Sequence, residues 1–305
     1  MQTTNLIEFG DCRDIMKRWT DEGVKVQTCI TSPPYFGLRD YGHEKQLGLE
    51  DNVGLYVSNL VDVFRHVWNL LSDDGTVWLN LGDSYSGSGK GPSKGLNGEH
   101  HDMEHKHSKI VPDGLKPKDL IGVPWRVAFA LQDFGWYLRQ DIIWHKPNPM
   151  PESVRDRCTK NHEYIFLLSK KPKYYFDNEA IKEPVKEDWG TRDRSDGKYH
   201  NEGTGLQPHS GLEKSYEMAN KRSVWTVTTK PFAGAHFATF PPELIEPCVL
   251  AGSRPNDIVL DPFMGSGTTA AVADRLNRLY LGCELNQDYE KLQKERLKQR
   301  SLELL

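Results

Sequence analysis

Asp257-Ile258-Val259-Leu260-Asp261-Pro262-Phe263-Met264-Gly265-Ser266-Gly267-Thr268-Thr269 reads as a strand, a glycine loop and the first turn of a helix. Ile258 to Leu260 is an unbroken apolar run, the pattern of a parallel strand buried on both faces. Gly265 and Gly267 permit positive φ and close approach of the backbone to a ligand. Thr268-Thr269-Ala270-Ala271-Val272-Ala273 then opens a helix with hydroxyl residues at its start. A second apolar strand, Leu279-Tyr280-Leu281-Gly282-Cys283, ends in Glu284. Glu284 follows Asp261 at about the 20-residue gap at which dinucleotide-type folds set a carboxylate on a ribose hydroxyl.

Two phosphate-binding readings of this loop fail. A P-loop needs Lys after its last Gly, and Thr268 stands there. A dinucleotide loop needs a third Gly, and Gly265-Ser266-Gly267 is followed by Thr-Thr-Ala. Asp261 at the mouth of the loop repels an anion and suits a cation. A nucleoside carrying a positively charged amino-acid tail fits both ends, and S-adenosylmethionine is such a molecule.

Working toward the N-terminus, Val26-Gln27-Thr28-Cys29-Ile30 reads as a short buried strand and runs into Thr31-Ser32-Pro33-Pro34-Tyr35. The prolines cannot extend a sheet, hold φ near −65°, and leave a stiff loop carrying a hydroxyl, carbonyls without ladder partners and an aromatic ring. Such a loop can hold a flat heterocycle by its amino group, with the ring stacked on its face. A purely structural Pro-Pro turn is the other reading of those five residues alone.

Asp-Pro-Phe-x-Gly-Ser-Gly-Thr-Thr together with Ser-Pro-Pro-Tyr resembles the amino-group DNA methyltransferases of the permuted class, in which the catalytic motif precedes the cofactor motif. The likeness extends over nearly the whole chain. It takes in Gly10-Asp11-Cys12, Asn80-Leu81-Gly82-Asp83-Ser84, Trp144 to Lys170, His236 to Pro241 and Glu284. It implies S-adenosylmethionine as cofactor, held by Asp261, Phe263, Gly265, Ser266, Gly267, Thr268 and Glu284, with Asp11 and Cys12 near the adenine and His236 and Thr239 near the methionine end. It implies Ser32, Pro33, Pro34 and Tyr35 as the catalytic loop acting on a flipped base in double-stranded DNA. In the family, Ser before Pro-Pro-Tyr usually goes with cytosine N4, and Asp or Asn with adenine N6. Ser32 therefore favours N4-cytosine, and the same reaction on adenine N6 stays open. RNA or protein-glutamine methylation is a more distant alternative, since those enzymes resemble Asn-Pro-Pro-Tyr proteins without a polar insertion. A homodimer and a cognate restriction endonuclease are partners the resemblance allows. Carbon-5 cytosine methylation is rejected: it needs a Pro-Cys nucleophile loop, and Pro247-Cys248 lies in an apolar helical run.

Composition bounds the rest. With 305 residues, 27% charged and 10% aromatic, the chain can build a packed core. The formal net charge of −4 argues mildly against a nucleic-acid protein, so basic contacts must be local. Five scattered cysteines form no C-x-x-C, which suggests neither zinc site nor disulfide framework, and no signal peptide or long apolar span is seen. A cytoplasmic protein without a membrane segment or bound metal is expected. The histidines at 100, 101, 105 and 107 fall in a Gly/Ser/Lys-rich stretch read as a mobile, solvated loop over about 86–110, with metal binding as the other reading.

The strands count to seven: Leu6 to Phe9, Val26 to Ile30, Thr76 to Leu81, Leu138 to Trp144, Glu163 to Leu168, and the two around the glycine loop. Interleaved helices make the fold α/β, with a mostly parallel sheet and helices on both faces. The resemblance adds that one strand is antiparallel, a role suited to the 138–144/163–168 pair, and that the order is a circular permutation of a Rossmann-like methyltransferase. Asp119 is expected to cap a helix running to Phe134. Residues 1–181 are assigned to the catalytic part of one domain and 231–305 to its cofactor part. The polar, Gly-rich residues 182–230 are assigned as a target-recognition insertion, with Arg192, Arg194, Lys221 and Arg222 on DNA. An irregular surface excursion without function is the bland reading of that segment.

Overall fold

The computed structural model describes residues 4–38, 42, 43, 45–87, 111, 114–185, 217–229 and 240–303. Alternating strands and helices run β1 (Leu6–Phe9), α1 (Cys12–Asp21), β2 (Val26–Thr31), α2 (Val53–Leu70), β3 (Leu71–Leu81), α3 (Val123–Phe134), β4 (Tyr137–His145) and β5 (His162–Ser169). A small ribbon, β6 (Glu183–Pro184) with β7 (Met218–Ala219), precedes β8 (Val224–Thr226). The chain then continues through α4 (Pro242–Gly252), β9 (Ile258–Asp261), α5 (Thr268–Arg275), β10 (Leu279–Glu284) and α6 (Glu290–Glu303).

The central sheet has the order β1-β10-β9-β2-β3-β5-β4-β8. β5 alone runs antiparallel, paired with β3 on one side and β4 on the other. The first strand of the chain lies beside the last, with Leu6 opposite Leu281. The sheet thus continues across the chain's two ends, as a permuted order requires. Helices cover both faces. On one, α1, α2 and α3 pack Trp19, Phe64 and Leu131 against Cys29, Leu79 and Phe166. On the other, α4 and α5 pack Leu244, Val249 and Ala270 against Ile30, Trp78 and Val259. β2 and the apolar run of β9 are therefore buried from both sides, so neither alternates buried with exposed positions.

Three details depart from the expectations. The sheet has eight strands among the described residues, not seven: β8, from the segment assigned as an insertion, pairs parallel with the end of β4 and buries Trp225 at 6% exposure. Asp119 does not cap α3. It accepts from the backbone and ammonium of Lys116, and the helix starts at Val123 after Gly122. Its cap comes from farther away, where Asp83 after β3 accepts from the backbone N–H groups of Gly122 and Val123 at 3.0 and 3.1 Å. The strand expected from Thr76 starts earlier, at Leu71, directly where α2 ends at Leu70. Of the loop expected over 86–110, only Ser86 and Gly87 are described, and Ser86 is buried with its backbone bonded to Asp119 and Lys118. No helix among the described residues is long and apolar enough to cross a membrane.

Candidate active site

At the carboxyl ends of the parallel strands a cavity of about 620 Å³ opens. It sits where β9 meets β2, the point at which the connections diverge to opposite sides of the sheet. Every parallel strand there stops at a loop. After β1 comes Gly10-Asp11-Cys12, after β2 Ser32-Pro33-Pro34-Tyr35, after β9 Pro262 to Ser266, and Glu284 closes β10; all of these line the cavity. The proline loop and the glycine loop thus face each other across neighbouring strand ends. One hydrogen bond ties them: the Thr31 hydroxyl donates to Asp261 Oδ1 at 2.6 Å.

Asp261 itself is a bolt. It is buried, does not line the cavity, and accepts from Thr31 Oγ1, from Thr269 Oγ1 at 2.6 Å and from the Phe263 N–H at 3.0 Å. Burial pushes its carboxyl up to about 6 against the pull of those donors. Gly267 also stays off the cavity wall: with φ +85° it caps α5 in the left-handed region and packs on Gln293 of α6. The Thr268 hydroxyl lines the cavity but already accepts from Arg296.

The remaining groups of the glycine side do face the cavity. Glu284 accepts from the backbone N–H groups of Gly265 at 2.7 Å and Asn286 at 2.8 Å, which fixes both carboxylate oxygens, while burial raises its pKa. Ser266 is 1% exposed, and its buried hydroxyl has no hydrogen-bond partner among the described residues. Asp11 caps α1 by accepting from the Arg13 N–H and grips the Arg13 guanidinium at 2.6 Å. Burial raises the Asp11 carboxyl, and its bonds to Arg13 outweigh that and hold it below the usual range. Burial pushes the neighbouring Cys12 thiol up to about 12, so it stays protonated.

On the proline side the sequence reading missed a carboxylate. Glu163, at the start of the antiparallel β5, accepts from the Tyr35 hydroxyl at 2.7 Å and from Asn80 Nδ2 at 3.3 Å, and pairs with the Lys146 ammonium. Lys146 lies 4.2 Å from the centroid of the Trp144 ring. The Ser32 hydroxyl donates to the Tyr35 oxygen at 3.3 Å, so a chain of polar contacts runs from Ser32 through Tyr35 to Glu163 and Lys146. Burial and the Glu163 charge raise the Tyr35 pKa well above its usual value and keep the phenol neutral. One side of its ring lies against Gly82, where a Cβ would sit 2.5 Å from Tyr35 Cε2. Tyr56 donates to the Pro34 carbonyl at 2.8 Å and braces the loop from behind. The only signal in the sequence for this cluster was polarity in the wrong place: Asn80 inside an apolar strand, Glu163 opening another.

His236, Thr239, Arg192 and Arg194 lie outside the described residues. Lys221 sits 5.2 Å from the centroid of the Trp225 ring and Arg222 pairs with Glu183. Both stand at the amino end of β8, whereas the cavity lies at the carboxyl end of its parallel neighbour β4. From the same segment, Thr229 does reach the cavity wall.

The chain is similar to known proteins over most of its length. The model of the N6/N4 methyltransferases, described as DNA methylase, matches residues 26–295. The chain is 49% identical to the Type II methyltransferase M.SmaI of Serratia marcescens over 96% of its own length and 91% of that protein's. It is 47% identical to the Type II methyltransferase M.XycI of Xanthomonas campestris pv. cyanopsidis, over 94% and 86%. Among solved structures, the PvuII DNA methyltransferase (cytosine-N4-specific) superposes with a TM-score of 0.63 at 18% identity, covering 96% of this chain and 86% of that one. The M1.HpyAVI–SAM complex superposes with a TM-score of 0.55 at 20% identity, covering 96% and 98%. A likeness at those identities speaks for the fold, and the family match over most of the sequence speaks for more: this chain belongs to the DNA methylase family of N6/N4 methyltransferases.

Proposed function

We propose that this protein transfers a methyl group from S-adenosylmethionine to the exocyclic N4 of a cytosine flipped out of double-stranded DNA. The observation that carries the reading is the shared cavity, in which Ser32 and Tyr35 stand across from the Gly265–Ser266 turn and Glu284. The donor set fits the cofactor. Glu284 is held by two backbone N–H groups with its carboxylate on the wall, suited to ribose hydroxyls. The unpartnered Ser266 hydroxyl supplies a further polar contact, and Asp11 and Cys12 bound the adenine side. Bound there, S-adenosylmethionine supplies a methyl group on a sulfonium that needs no further activation.

The protein's own task is orientation and exclusion of water, which together can lower a barrier by roughly 7–11 kcal/mol. The Ser32 hydroxyl and the Pro33 carbonyl accept hydrogen bonds from the target amino group. That favours a pyramidal nitrogen and localises a lone pair otherwise spread into the ring. Tyr35 presents its ring to the base, and Gly82 behind it and Glu163 at its hydroxyl hold that ring in place. Ser32 before Pro-Pro-Tyr supports cytosine. Adenine N6 is the second reading, because the same two acceptors serve either amino group. The Type II names of the relatives support a partner restriction endonuclease and a cytoplasmic setting. Target recognition is assigned, as part of the same proposal, to residues 182–230.

Ser32→Ala separates this reading from a structural proline turn. The variant should bind S-adenosylmethionine normally by calorimetry and lose most of its turnover. Methylation at the wild-type rate would remove the loop from the chemistry. Long-read sequencing of DNA from cells expressing the protein identifies the modified base. Adenine marks in place of cytosine marks would decide for the second reading.

A further inference from the structure

The base-binding side of the cavity carries an apolar side chain that the methyl-transfer chemistry does not use. Met150 is 76% exposed, the highest value for any large hydrophobic residue among the described ones, yet it lines the cavity. Single exposed apolar residues are common and need no explanation. Met150 differs in how it is presented. It stands between Pro149 and Pro151, which limit the backbone on both sides. The loop is also clamped: Asn148 donates from Nδ2 to the Thr229 carbonyl and accepts from the Thr229 N–H, both at 3.0 Å. A reciprocal amide clamp and two prolines keep an apolar tip at the cavity mouth, where leaving it in water gains nothing for the fold.

We infer that Met150 is a wedge that enters the base stack at the target step and fills the space a flipped nucleotide leaves. Methionine is among the side chains that proteins insert between base steps, and its flexible thioether adapts to an irregular gap. Extruding a base costs pairing and stacking, least where the base is already unpaired. Apolar contact with the flanking bases offsets part of that cost. A braced loop loses less conformational freedom on docking than a free one. The inference rests on the proposed reading, since it requires a flipped target.

The experiment compares Met150→Ala with the wild-type enzyme on two duplexes containing the methylation site found by sequencing. One has the target base paired, the other has it opposite an abasic position. Single-turnover rates are measured with 2-aminopurine fluorescence next to the target as a report of flipping. Met150→Ala should slow methylation of the paired duplex by about tenfold, with a matching loss of the fluorescence rise, and should match wild type on the unpaired one. Met150→Leu should restore most of the paired rate. Equal rates for Met150→Ala and wild type on paired DNA would overturn the wedge. So would an equal slowing on both duplexes, which would make Met150 an ordinary cavity wall. If the unpaired target does not speed the wild-type enzyme or raise its fluorescence signal, base flipping itself fails, and the wedge with it.

Discussion

Replacing Asp261 with Asn tests whether that residue is a bolt of the fold or a partner of the cofactor. The folded protein holds the Asp261 proton up to about 6, against an ordinary value of 3.8 in the unfolded chain. Between these values the folded state binds more protons than the unfolded one. Stability must therefore fall as pH rises through that window, by about 1.4 kcal/mol per unit and about 3 kcal/mol in all. This contribution is fully present below about pH 4 and gone above about pH 6. Asn has the same shape and no charge to desolvate. Its oxygen can accept from Thr31 and Phe263, and its amide can donate to Thr269, whose hydroxyl turns to accept. Urea melts of both proteins across the window should give nearly equal stabilities at the acid end. Near neutrality Asp261→Asn should be the more stable, by up to about 3 kcal/mol. Calorimetry should find S-adenosylmethionine affinity little changed, because Asp261 does not line the cavity. A stability difference that ignores pH would refute the burial argument. A well-folded variant with lost cofactor affinity would return Asp261 to the role read from the sequence.

Two further changes probe the walls of the site. Glu163→Gln keeps an acceptor for Tyr35 but leaves the half-buried Lys146 ammonium without its carboxylate; partial exposure trims the usual cost of a broken pair to about 2 kcal/mol of stability. Its kcat should fall with cofactor affinity unchanged, and an unaltered kcat would detach Glu163 from the orientation of Tyr35. Gly267→Val places a β-branched side chain at φ +85°, against Gln293 and away from the cavity, so thermal melting should register a loss of about 1–2 kcal/mol from the left-handed strain. Any loss of cofactor affinity should follow that destabilisation; abolished binding in a variant of wild-type stability would mean that Gly267 touches the cofactor directly.

Local chemistry carries far in this chain. Apolar runs bounded by Gly265 and by Pro33-Pro34 gave the strands, the glycine loop and the proline loop from neighbouring residues alone, because burial on both faces and fixed φ angles are decided within a few positions. Those signals, joined to the resemblance, were enough for the α/β sheet with its single antiparallel strand and for most of the cavity's glycine side. What they could not give was partnership across the chain. Glu163 meets Tyr35 from 128 positions away, and Asp83 rather than Asp119 caps α3 across 40. Asp261 and Gly267 look like ligand contacts in a linear motif, yet folding turns them inward, onto Thr31 and Gln293. Val224–Thr226 is too short to announce itself as a strand and becomes one only because the edge of β4 offers it a partner. Residue type and spacing settle which groups are present at the strand ends. Only the packed sheet settles which of them face the cavity, because facing depends on the register and burial of strands far apart in sequence.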